Sequence, residues 1–223
     1  MFGYVISDSV GNRTVTYDDP FNASAFDLSE KIRIFPRRFT LEGGQQRTVR
    51  IQVIPGPDLE DGTYFARLTV TSEEAGRTIE EIEAERQEGE LVTRINYRFV
   101  QGFSINYRKG NVTTGIVVED FNYQINESDI QLFSSLRRTG NSPFLGTLRA
   151  SLINGSGQTV VSGSGTVGVA FEILNRLAIP LDEPLEAGSY IVRFEFLTDR
   201  ADLNPSDIIR AEPVIFEQEI TIP

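Results

Sequence analysis

Leu91 to Arg108 reads LVTRINYRFVQGFSINYR. Its odd positions are Leu91, Thr93, Ile95, Tyr97, Phe99, Gln101, Phe103, Ile105 and Tyr107, while Arg94, Asn96, Arg98, Ser104, Asn106 and Arg108 fall on even ones. Successive side chains of a strand point to opposite faces, so the stretch reads as one apolar face backed by one basic face. It runs well beyond the usual strand length of about 5 to 6 residues. A strand this long can close its own sheet and still have edge left to pair with something else.

Around it, Gly, Pro, Asn and Asp clusters recur roughly every ten residues between short β-branched or aromatic runs, which reads as an all-β sandwich. Before the long segment, strands are expected over Gly3 to Ser7, Lys31 to Phe35, Arg47 to Ile54 and Tyr64 to Ser72. After it they are expected over Gly115 to Gln124, Asp129 to Leu136, Leu145 to Ile153, Thr159 to Ser162, Val167 to Ile179, Ser189 to Leu197 and Pro213 to Ile222. Only Ile79 to Gln87 has a helical look.

The totals exclude several function classes. At 223 residues, 39% apolar and 24% charged, the chain can bury one large core or two ordinary ones. It has no cysteine and no histidine, which removes disulfides, thiolate and imidazole nucleophiles, and histidine-ligated zinc. Any enzyme here would run on carboxylates, lysine, tyrosine or a hard metal. A net charge of −11 argues against a nucleic-acid partner, and no apolar run is long enough to span a membrane.

A repeat divides the chain. Leu59-Glu60-Asp61-Gly62-Thr63-Tyr64 and Leu185-Glu186-Ala187-Gly188-Ser189-Tyr190 share L-E-x-G-x-Y, each followed three residues later by an arginine, Arg67 and Arg193. A glycine-led turn with a tyrosine at the strand start suits the tyrosine corner of immunoglobulin-like sandwiches. The expectation is two tandem immunoglobulin-like β-sandwich domains, residues 1–109 and 110–223, joined near Lys109 to Thr114. From residue 111, 77 residues precede Gly188, but only 61 precede Gly62. The first domain is therefore expected to lack one or two N-terminal strands.

Ile32-Arg33-Ile34-Phe35-Pro36-Arg37-Arg38-Phe39-Thr40-Leu41, with Gly43-Gly44-Gln45-Gln46-Arg47-Thr48-Val49-Arg50-Ile51, resembles the periplasmic pilus chaperones, the PapD-like family. The likeness continues through Pro57 to Tyr64, through Phe103 to Gly110, and in the second half through Leu136 to Ser142 with Leu145 to Leu148. The resemblance implies two immunoglobulin-like domains set at an angle, with fibre subunits bound at the cleft and along the last strand of domain one. Such a chaperone lends that strand to an incomplete subunit sandwich, and alternate apolar side chains enter the subunit's groove. Carried over, the donor side chains fall on Ile95, Tyr97 and Phe99; ordinary packing on the domain's own core is the other reading of the same positions.

The family's carboxylate clamp maps less completely. Its lysine falls on Ser104, and its first-strand arginine would fall in the N-terminal segment that the first domain is expected to lack. Arg98 or Arg108 could substitute through a bidentate guanidinium fork, or could be solvated arginines of the outer face. The resemblance further implies no cofactor, a periplasmic location with the export leader upstream, fibre subunits and an outer-membrane usher as partners, and a monomer while subunit-free.

The remaining motifs read as surface. Glu73 to Glu90 holds eight glutamates against Arg77 and Arg86, as expected of a solvated loop. Asn154-Gly155-Ser156-Gly157 and Gly163-Ser164-Gly165 read as hairpin turns, and Asp18-Asp19 with Asp27 as turns without calcium-loop spacing. Five N-x-S/T triplets, from Asn12, Asn22, Asn111, Asn126 and Asn154, read as the polar content of turns. The sequence thus points to a non-enzymatic chaperone with neither catalytic nor metal-binding residues; the alternative is a structural or adhesive surface protein of tandem immunoglobulin-like domains.

Overall fold

The computed structural model describes residues 1–21, 23–57, 59–73 and 98–223. The chain is all-β. Its first half holds β1 (Tyr4–Ser7), β2 (Arg13–Thr16), β3 (Ile32–Phe35), β4 (Arg50–Val53), β5 (Gly62–Glu73) and β6 (Arg98–Lys109). Its second half holds β7 (Thr114–Ile125), β8 (Asp129–Gly140), β9 (Phe144–Asn154), β10 (Thr159–Val169), β11 (Glu172–Pro180), β12 (Gly188–Leu197) and β13 (Val214–Ile222). The helical look of Ile79 to Gln87 lies outside the described residues, as do Ile95 and Tyr97.

The second half is a closed sandwich. A four-stranded sheet in the order β10-β9-β12-β13 faces a three-stranded sheet in the order β11-β8-β7, and every pairing is antiparallel. Along β8, β9 and β12 burial alternates residue by residue, so each strand gives one side to the core. Leu136, Phe144, Leu148, Leu152, Val167, Val192, Phe194 and Phe196 form its centre.

One expected strand, Val167 to Ile179, is two. β10 ends at Val169, the chain turns at Ala170 and Phe171, and β11 returns from Glu172 in the opposite sheet. The apolar run across the turn hides it, because Phe171 faces the first half of the molecule rather than solvent. Gly163-Ser164-Gly165, expected as a hairpin turn, lies inside β10. A Cβ at Gly163 would stand 2.8 Å from Ile179 of β11, and one at Gly165 would stand 3.3 Å from Leu177. These glycines therefore let the two sheets approach. Asn154 does begin a turn: its Oδ1 accepts from the backbone N–H of Ser156 at 3.1 Å and of Gln158 at 3.0 Å.

Among the described residues, the first half forms three two-stranded pieces, β1-β2, β3-β4 and β5-β6. β2 was not expected from sequence, because four residues, RTVT, carry too little alternation to register. The core of this half is small, with Leu28, Tyr64 and Ala66 buried and Ile32, Val53, Leu59, Ile105 and Tyr107 packed against them.

Both tyrosine corners form. Tyr64 Oη donates to Glu60 O at 2.9 Å, and Tyr190 Oη donates to Glu186 O at 3.0 Å. Burial raises the Tyr64 phenol's pKa, which keeps it a donor across the neutral range. Each bond ties a loop to a strand start, so Tyr64→Phe and Tyr190→Phe are each expected to cost about 1 kcal/mol in denaturant titration. A pair of neutral substitutions would show that the loops are held by other contacts.

Candidate partner-binding ribbon and the seam between the halves

β5 and β6 form a twelve-residue antiparallel ribbon whose register runs from Gly62↔Lys109 to Glu73↔Arg98. Directly opposed residues share a face. Tyr64/Tyr107, Ala66/Ile105, Leu68/Phe103, Val70/Gln101 and Ser72/Phe99 make one face, and Phe65/Asn106, Arg67/Ser104 and Thr71/Val100 belong to the other. The odd-position apolar face expected from sequence is thus the first of these, and its two ends differ. At the base, Tyr64 and Ala66 are buried and Ile105 and Tyr107 half-buried on the small core of the first half. Towards the tip, Val70 is 49% exposed, Phe103 43% and Phe99 71%.

The edges of the ribbon divide in the same way. At its base, β5 pairs outward: Phe65 O accepts from Leu28 N at 3.1 Å, and Arg67 N donates to Met1 O at 2.8 Å. Past Arg67, β5 bonds only to β6 among the described residues.

The base of the opposite face belongs to the seam between the halves. Phe65 joins Tyr4, Phe2, Phe21 and Phe26 in an aromatic cluster, and Phe171 of the second half enters it, 4.9 Å from the Tyr4 ring and 6.0 Å from Phe65. Arg138 of β8 lies over both Phe26 and Phe171, its guanidinium carbon 4.8 and 4.7 Å from their ring centres. Burial lowers its pKa, and its Nη1 has no hydrogen-bond partner among the described residues, so the ring faces are its main compensation.

A polar hub closes the seam beside the linker. Asn141 Nδ2 donates to Asp61 O at 2.9 Å and to Asn111 O at 3.0 Å, and its Oδ1 accepts from Thr113 N at 2.8 Å. The buried hydroxyls of Thr63 and Ser142 lie 2.7 Å apart. Gly110 turns the chain with a φ of 62°, and a side chain there would collide with the Asp61 carboxylate. From the N-terminal hairpin, Arg13 of β2 reaches Asn175 Oδ1 at 2.7 Å and Thr166 O at 3.1 Å, binding that hairpin to the second sandwich.

The residues singled out from sequence separate on this frame. Phe99 stands on the exposed tip face, with Arg98 opposite Glu73 at its end. Arg108 is tied to the second half: its guanidinium donates to the backbone carbonyls of Ser206, at 2.9 Å, and Asp207. It braces the two halves because its position near the strand base turns it into the seam. Ser104 is exposed and sits directly opposite Arg67.

Arg67 is the residue that sequence reasoning missed. Its guanidinium reaches over β6 to Gly102, where a Cβ would stand 3.2 Å from Nη2. The repeat carries the signal that could have found it, since Arg193 occupies the same place after Tyr190. Arg193 pairs with Glu217 across its strand at 3.3 Å, whereas Arg67 faces Ser104 and has no ion-pair partner among the described residues.

Asp19 and Asp27 hold turns through their carboxylates, as expected. Asp19 accepts from Ala23 N and Ser24 N, and Asp27 Oδ1 accepts from Ser29 N two residues on at 2.7 Å. Among the described residues no three acidic side chains converge as a metal site, and no helix is long and apolar enough to cross a membrane. A groove of about 310 Å³ lies where β1 meets β11, with Ile6, Phe21, Glu119 and Glu172 among its walls. Glu119 is already paired with Arg137. Comparison with known protein families, with curated proteins and with solved structures finds no match to this chain.

Proposed function

We propose that this protein is a non-enzymatic chaperone of the PapD-like kind, acting in the periplasm, that captures an incomplete β-sandwich fibre subunit by strand addition along the β5–β6 ribbon. One observation carries the reading. Among the described residues, the apolar face of that ribbon packs on a core at its base, while Val70 and Phe103 towards the tip are exposed. A lone two-stranded ribbon is marginal in water, and uncovered strand apolar surface marks a place where another chain packs. A partner strand would gain backbone hydrogen bonds from the edge, while pockets in the partner receive the alternate side chains. Arg67 beside Ser104 supplies a guanidinium near the middle of the ribbon that suits a partner's carboxylate through a bidentate fork.

The two halves, read as immunoglobulin-like domains, would then act as a rigid holder. The second half supports that reading through its four-plus-three strand order and its tyrosine corner. The same closed sandwich, together with the bonded seam, favours the alternative of a structural surface protein, in which the ribbon packs against a neighbouring module.

A double substitution, Phe99→Asp with Phe103→Asp, tests the first reading. Both positions are exposed, so the variant should keep the wild-type melting temperature within a few degrees. Wild-type protein is expected to capture a small β-rich partner from periplasmic extract, with hydrogen exchange slowed at residues 98–104 in the purified complex. The variant should lose at least about tenfold in affinity, because a carboxylate entering an apolar groove goes unpaired. Capture that survives the substitution, or slowed exchange confined to another part of the molecule, would count against strand addition here.

A further inference from the structure

The segment from Lys31 to Ile54 carries a charge of its own. Lys31, Arg33, Arg37, Arg38, Arg47 and Arg50 stand against Glu42 alone, a net +5 that leaves −16 on the rest of a −11 chain. All five arginines are exposed, and none is in an ion pair or side-chain hydrogen bond among the described residues. The nearby acid is already engaged, since Gln45 Nε2 donates to the Glu42 carboxylate at 3.3 Å. Lys31 donates to Asp27 O at 3.0 Å, so the arginines alone are unanswered.

Strand register sorts these residues. Ile32 opposes Val53 and Ile34 opposes Ile51, which puts them on the inner face, and Ile32 and Val53 pack on the small core. Arg33 opposes Gln52 and Phe35 opposes Arg50, so the outer face carries an aromatic ring between arginines. Phe35 is 75% exposed, and Phe39 and Leu41 in the connecting loop are exposed as well. Five like charges on so small a hairpin repel one another, and no acidic side chain among the described residues pairs with them.

We infer that the outer face of the β3–β4 hairpin is a docking site for an acidic, extended polypeptide segment of a partner protein. Charge complementarity selects an anion, and three features select a polypeptide. β3 and β4 pair only with each other among the described residues, so their outer edges present N–H and C=O groups that match another peptide backbone. Each strand spans four residues, or roughly 13 Å, which suits a short segment. A nucleic-acid strand or an anionic bilayer would extend past the hairpin and meet the −16 of the remaining surface, whereas a short acidic segment need not. Phe35 then packs an apolar side chain of the segment between the ion pairs. This site is on different strands from the β5–β6 ribbon and does not depend on strand capture there.

The test uses the full chain and four fluorescent probes: an alternating glutamate–valine peptide of about 12 residues, the matching lysine–valine peptide, an oligothymidylate of about 12 nucleotides, and vesicles rich in anionic phospholipid. Two variants accompany the wild type, one with Arg33, Arg37, Arg38, Arg47 and Arg50 all changed to Gln, and one with Phe35→Ser. The glutamate–valine peptide is expected to bind the wild type, and to bind it several-fold more weakly at about 300 mM salt than at about 50 mM. The arginine variant should weaken it at least about tenfold and Phe35→Ser about threefold, with circular dichroism unchanged. Tighter binding of the oligonucleotide or the vesicles than of the peptide would overturn the assignment, and so would unchanged binding by the arginine variant or no peptide binding at all.

Discussion

Phe171→Ala is expected to lower the main unfolding transition by roughly 6 to 12 °C, and to separate it into two. The ring leaves the second half at the β10–β11 turn and enters the aromatic cluster of the first, contacting Tyr4, Phe21, Phe26 and Phe65. It also supports the Arg138 guanidinium. Truncation removes apolar burial, edge-to-face contacts and one half of a cation–π sandwich together, about 3 kcal/mol in all. The hub around Asn141 and the Arg108 brace would still connect the halves, but through exposed polar bonds worth only about 1 kcal/mol each. Calorimetry checks the result, with limited proteolysis expected to cut first within residues 1–109. A single transition at the wild-type temperature would mean that the polar hub, not the aromatic cluster, holds the seam.

Phe194→Ala should be costlier, at about 3 to 5 kcal/mol. Phe194 is fully buried in β12, 5.5 Å from Phe121, 5.9 Å from Phe196 and 6.0 Å from Phe216. Its neighbour on β9 is Ala150, so the ring fills space that no adjacent side chain can reclaim. Phe194→Leu keeps most of that volume and is expected to cost less than about 1.5 kcal/mol. Urea unfolding followed by tryptophan-free probes such as circular dichroism checks both, and equal losses for the two variants would show that the site collapses around a smaller residue. Because Phe194 lies away from the β5–β6 ribbon, any binding lost in these variants should scale with the unfolded fraction alone.

Much of the architecture is legible without coordinates because it depends on local alternation. β8, β9 and β12 were placed within a few residues of their observed ends, as their apolar residues recur at every second position. The tyrosine corners were legible too, since glycine, tyrosine and the accepting carbonyl lie within four residues of one another. The break at Phe171 was not, for the turn residue is apolar and its aromatic partners, Tyr4, Phe21, Phe26 and Phe65, are more than a hundred positions away in sequence. The glycines of β10 were not legible either, because their meaning lies in Ile179 and Leu177 of the opposite sheet, which only the packing of the two sheets brings against them.

The candidate site divides along that line. Sequence by itself determined an all-β chain, the alternating face of the long strand and the absence of thiol and imidazole chemistry, because each follows from residue types or period-two spacing. Only the tertiary structure decided that Arg108 braces the seam, that Arg67 faces a serine where Arg193 faces a glutamate, and that, among the described residues, the ribbon's apolar face packs on a core at one end and is exposed towards the other. Those outcomes depend on which strands meet and in what register, and register is set by packing between residues far apart in the chain.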